Sequence, residues 1–146
     1  MADITVSTTI DSFMQASDSS EAKTVLNIAD GIAIAVTNPT TALTASDTTP
    51  LDSFHMPNAG ELIEVLIGVN IAPVGSTLTC DVHKNGTSIF STKPTIDANE
   101  KTSVTAATAA VISDTTFAKG DFIELFCDSV GATTEGAGLK FYFKEA

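Results

Sequence analysis

A chain of 146 residues with 18 acidic and 7 basic side chains carries a net charge of −11, and all of the bases are Lys, so the guanidinium forks that suit phosphate are missing. Such a surface repels polyanions and excludes nucleic acid and anionic membranes as expected partners, while no apolar run approaches the ~20 residues that a spanning helix needs. The length suits one domain with a short appendage.

The N-terminus "MADITVSTTID" has neither the basic n-region nor the hydrophobic h-region of a secretory leader, so a product made in the cytoplasm, or assembled there into something larger, is expected. Residues 1–30 carry the convincing helical signal. In "SDSSEAKTVLNIADG", Asp18 caps the first turn and Glu21 stands three residues on, as in a capping box. Ala22, Val25 and Leu26 then recur at helical spacing until Gly31 stops the helix. About two turns cannot hold themselves in water. Phe13 and Met14 precede the cap, positioned to staple onto Ala22 or Val25, and the segment is expected to dock on its own domain or on a neighbouring subunit.

From Gly31 onward the helical period vanishes and residues 31–146 read as one β-domain. Thr is the commonest residue, with 22 copies, and β-branched side chains suit a pleated, half-buried surface. Strands are expected at 32–36, weakly near 51–56, then at 61–71, 77–84, 87–91, 101–112, 121–130 and 138–144. About eight strands at this spacing predict an all-β, antiparallel β-sandwich, jelly-roll-like, with a short N-terminal helical segment.

Alternation assigns the faces. In "TLTCDVHK", Leu78, Cys80 and Val82 oppose Thr79, Asp81 and His83, and in "GLKFYFK", Leu139, Phe141 and Phe143 oppose Lys140, Tyr142 and Lys144, which predicts one core face and one wet face. Between 61 and 71, Ile63, Val65, Ile67, Val69 and Ile71 form one row, with Leu62 and Leu66 on the other side around Glu64. Apolar residues on both faces point to contact with another subunit. Cys80 and Cys127 both fall on apolar faces and are expected as buried thiols.

The polar corners read first as turns. Asn85-Gly86 between two strand runs fits a type I′ hairpin, and "IDANEKT" fits a corner whose Asp97 and Asn99 bond their own backbone. A calcium loop from Asp97, Asn99 and Glu100 lacks EF-hand spacing. Cys80 and His83, three apart on a strand, diverge as metal ligands, as Glu61 and Glu64 do as paired carboxylates. The histidines, His55 and His83, have no recognisable Ser or Cys partner for a triad, and "GATTEGAG" (131–138) lacks the Lys and following helix of a phosphate loop, reading as a flexible hairpin tip. Catalysis and cofactors are therefore not expected. Glycan binding is the better functional rival, although the chain has no Trp and a single Tyr, Tyr142.

Two stretches carry a resemblance. "STTIDSFMQASDSSEAKTVLNI" (7–28) resembles a short N-terminal element of tail-fibre and other structural proteins of tailed bacteriophages. Residues 60–143 look like a β-sandwich module of phage virion proteins, through "P-x-G-S", a "K-N-G" hairpin, "S-I-F-S-T", a "T-I-D" corner, "F-A-K-G-D" and a closing Gly-rich hairpin. Lys93-Pro94 departs from that pattern, because Pro offers the ladder no donor, so the strand should break there or lie on an edge.

The resemblance implies a virion protein assembled in the host cytoplasm: a capsid decoration or cement protein that stabilises the shell. The alternative is a small tail-fibre, baseplate or head-fibre component that binds host glycans. It also implies a homo-oligomer, expected as a trimer, with the major capsid protein as a partner. Phe13, Met14, Val25, Leu26, Leu62 and Leu66 are the expected partner-binding residues.

Overall fold

The computed structural model describes residues 31–146, so the expected short helix and Phe13, Met14, Val25 and Leu26 lie outside the described residues. Residues Gly31–Ala146 form a compact unit. Its strands in chain order are β1 (Gly31–Ala35), β2 (Asp52–His55), β3 (Gly60–Gly68), β4 (Leu78–Lys84), β5 (Thr87–Ser88), β6 (Phe90–Thr92), β7 (Thr95–Ile96), β8 (Val111–Ile112), β9 (Thr116–Phe117), β10 (Phe122–Ser129) and β11 (Lys140–Glu145).

The pairings are antiparallel and build two main sheets, β1-β11-β3-β9 and β2-β10-β4-β5, with β7 also on β4 and a separate β6-β8 ribbon. Both sheets contribute to one apolar core: Val65, Ile67, Phe141 and Phe143 from the first, and Leu78, Cys80, Val82, Ile123, Leu125 and Cys127 from the second. The period-2 pattern of β4 and β11 is what places these side chains on one face.

β3 corrects the expected faces. Its register against β11 slips between Lys144, opposite Glu64, and Glu145, opposite Leu62. That bulge resets the alternation, so Leu62, Val65, Ile67 and Val69 all point inward while Ile63 is 53% exposed. A single row from Ile63 to Ile71 would have left Leu62 outside.

Two further expected strands divide. The run at 87–91 breaks into β5 and β6 around the fully buried Ile89, and the ladder stops at Lys93-Pro94 before β7 resumes it. The expected strand at 101–112 is instead a 3-10 turn at Ser103–Thr105 followed by the short β8. Thr102 accepts the Val104 N–H at 3.2 Å, Ser103 takes the Ile67 N–H at 2.9 Å, and Asp97 takes the Ala107 N–H at 2.9 Å. These side-chain acceptors compete with a ladder, and "AATAA" has no alternating bulk to bury.

The 131–138 stretch is no flexible hairpin tip. It carries the chain from β10 in one sheet to β11 in the other, and its backbone is bonded by two segments, Leu43 and the stretch 70–74. Gly136 accepts from Leu43 N, Ala137 accepts from Asn70 N, and Ala137 N donates to Ile71 O. Gly138 is buried with φ +72°, and a Cβ there would meet Asn70 at 2.8 Å, so a glycine is needed for both conformation and space.

Candidate functional site

The most concentrated polar chemistry sits on the face of β4 that points away from the core, where Asp81 is fully buried rather than wet as expected. The cause lies in the neighbouring strand. Ile89 N still donates to Val82 O at 2.9 Å, but the chain then leaves β4 for β6 and returns only at Pro94, whose carbonyl takes Cys80 N at 3.1 Å. In an antiparallel ladder a residue's N–H and C=O point to the same side, so Val82 N–H would be stranded in the gap. Asp81 Oδ1 accepts it at 2.8 Å and also accepts from Ser88 Oγ at 2.6 Å.

The second carboxylate oxygen meets the charged groups. Lys93 Nζ stands 2.7 Å from Asp81 Oδ2 and donates to Asp128 Oδ2 at 2.6 Å, while His83 Nε2 lies 3.1 Å from Asp81 Oδ2. Partial burial pulls the Lys93 ammonium down, but the hydrogen bonds to Asp128 and Asp81 outweigh it and hold its pKa above the usual lysine value. The His83 ring packs on Phe126 with centroids 4.4 Å apart.

The arrangement ties strands together and does not have the geometry of a Ser-His-Asp triad. A nucleophilic serine needs the imidazole as its base, whereas Ser88 gives its proton to Asp81 and accepts from Phe90 N at 3.2 Å. Cys80 faces the core and His83 the opposite face of β4, so the C-x-x-H pair does not converge. Among the described residues no group of three or more His, Cys, Asp or Glu is placed to hold a metal ion.

Cys80 and Cys127 are cross-strand partners and free thiols in the core, and burial holds Cys80 well above its ordinary thiol pKa. The Asn85-Gly86 turn has the two positive φ angles of a type I′ hairpin, 51° and 84°, between Lys84 and Thr87. Asn85 also reaches across: its Nδ2 donates to Asp121 Oδ1 and its Oδ1 accepts from Phe122 N, both at 2.9 Å. The "DANE" corner is a turn as well, closed by Glu100 N to Asp97 O at 3.0 Å with Asn99 at φ 69°. Thr105 donates to the Glu100 carboxylate.

A second feature is apolar. A cleft of about 310 Å³ opens between β1 and β2, each an outermost strand of its sheet among the described residues, with Ile34, Phe54, Met56, Phe117 and Phe143 on its walls. Leu62 lines this cleft from within the core, 5% exposed, so its side chain is taken up by its own domain. Leu66 is half-buried on the outer face of β3, opposite Tyr142 of β11. Of the six expected partner-binding residues, Phe13, Met14, Val25 and Leu26 lie outside the described residues. Sequence reasoning missed Asp81, although an Asp in mid-strand beside a strand broken by Pro was a usable signal.

No protein-family model matches the chain, and neither a curated protein nor a solved structure is significantly similar to it.

Proposed function

We propose that this chain is a virion structural protein of a tailed bacteriophage, acting as a capsid decoration or cement protein that binds and stabilises the shell. The observation that carries the reading is the strand order. With β5, β6 and β7 counted as one interrupted fifth strand and β8 with β9 as a sixth, β10 and β11 become the seventh and eighth. The two sheets then run 1-8-3-6 and 2-7-4-5. That interleaving of the chain's two halves is the order of two interlocked Greek keys, which supports an eight-stranded jelly-roll sandwich, an architecture of viral capsid and lectin domains.

The interior is filled by apolar side chains, and Asp81, Ser88, Lys93 and Asp128 are spent on one another and on backbone, which leaves outer faces and termini for function. A cement protein needs only those, since binding the assembled shell and not its dissociated parts stabilises the shell by mass action. Residues 1–30 act in this reading as the attachment device, and the protein works as a homo-oligomer, a trimer, on the major capsid protein. Burying Phe13, Met14, Val25 and Leu26 in a partner contributes ~1.5–3 kcal/mol each before the cost of ordering the segment is subtracted.

A second reading, a small fibre or baseplate component that binds glycans, is favoured by one feature: Tyr142 stands 41% exposed on β11, able to stack on a sugar. Immunogold labelling of purified particles separates the two, with label over the shell expected and label confined to the tail favouring the alternative. Protein found only in free host cytoplasm contradicts both.

A further inference from the structure

Four of the six large hydrophobic residues exposed among the described residues gather on one surface. Ile63, Val104, Val111 and Tyr142 are 53%, 67%, 49% and 41% exposed. They line two adjoining grooves, of about 450 and 270 Å³, on the outer side of the β1-β11-β3 sheet. Leu66 and Val104 belong to both grooves, so the surface is continuous across them. Its flank is flat: Ala33 and Ala35 of β1 lie in register with Tyr142 and Lys140 and are exposed.

Charge sets this face apart. The chain as a whole carries 18 acids against 7 lysines. Here Lys101 and Lys140 line the second groove and Lys144 stands opposite Glu64, with Glu61 and Glu100 at the rim. Asp97, which accepts from Ala107 N beside the groove, adds a fourth acid, so three lysines meet four acids and the patch is near balance on a chain of net charge −11. Two copies of so acidic a protein repel each other wherever their acidic surfaces meet, and least where the charge is balanced and the centre apolar.

We propose that this outer face, centred on Leu66, Val104 and Tyr142, is the surface by which a second copy of this chain docks. The assignment rests on the oligomer reading above and names its interface. Val104 on the 3-10 turn and Ile63 on the bulge project as the apolar anchors, and Lys101, Lys140 and Lys144 with their glutamates form the polar rim that excludes water.

Tyr142 makes the test direct, because it is the single tyrosine of a chain without Trp, so tyrosine fluorescence reports this face alone. Acrylamide quenching of the full chain is measured together with its mass by light scattering, from tens of micromolar down to nanomolar protein. The expected result is an oligomer with Tyr142 shielded several-fold, the shielding lost as dilution returns the mass to one chain. Val104→Glu and Ile63→Glu, both at positions more than half exposed, should keep the wild-type fold by circular dichroism and weaken association by at least about tenfold, whereas Ile32→Glu in the edge cleft should leave association unchanged.

A wild type of one-chain mass throughout overturns the oligomer reading and this assignment with it. An oligomer whose Tyr142 is quenched as freely as in the diluted chain, or one dissociated by Ile32→Glu and not by Val104→Glu, overturns the assignment alone. Shielding of Tyr142 that requires purified shells gives the face to another virion protein and likewise overturns it.

Discussion

At Asp81 two kinds of loss can be told apart by substitution. Asp81→Ala strands the Val82 N–H in a buried gap, which costs about 1–3 kcal/mol, and also takes the acceptor from the half-buried Ser88 hydroxyl. Lys93→Met leaves the buried Asp81 carboxylate without its ammonium, but Lys93 is 41% exposed and water reaches the place it vacates, so the loss is the smaller of the two. Urea denaturation of the two variants should therefore give Asp81→Ala much the larger drop, and equal drops would show that the ion pair, not the satisfied backbone, holds this face. Stability should also fall at alkaline pH. Lys93 has a folded pKa above its ordinary one, so it contributes stability that is fully present below its unfolded pKa and is lost as pH rises through the folded value. That loss begins above about pH 10.4, and melting curves of Lys93→Met should lack it.

Turns and crossovers decide the element scale. Gly86→Ala should cost about 1 kcal/mol because φ is +84° in open space, a backbone cost without a clash. Gly138→Ala should cost more, since its φ of +72° is joined by a Cβ contact to Asn70 at 2.8 Å, and part of that excess should return in the Gly138→Ala, Asn70→Gly double variant. Chemical denaturation of the four proteins tests the ranking. On the acid side, the Ala118 backbone bond first and the Asn85 bond second hold Asp121 below the usual carboxylate range. Its contribution is present above the unfolded pKa and lost as pH falls through the lower folded one, so Asp121→Asn should flatten the melting temperature below about pH 4. The hairpin at Asn85-Gly86 and the alternation of β4 and β11 were legible in the sequence because they depend on neighbours in the chain. The bulge at Ile63, the burial of Asp81 and the packing of Gly138 were not. Each is fixed by a residue distant in sequence: Leu62 by Glu145, Val82 by the departure of β6, Gly138 by Asn70.

At the scale of the molecule, the proposed attachment by residues 1–30 and the compactness of residues Gly31–Ala146 make a joint prediction. A chain lacking residues 1–28 should keep its melting temperature and lose its place on the particle, whereas a large drop in melting temperature would assign the segment to the stability of its own domain. Light scattering at micromolar concentration should report about three times 15.1 kDa for the intact protein. The most direct test of the whole account is the density of purified particles at a resolution that separates subunits. The expected result is a two-sheet domain of this strand order at symmetry-related sites on the outer shell, absent from particles made without this chain. Shells identical with and without it, and no such density on tail or fibre, would contradict the account.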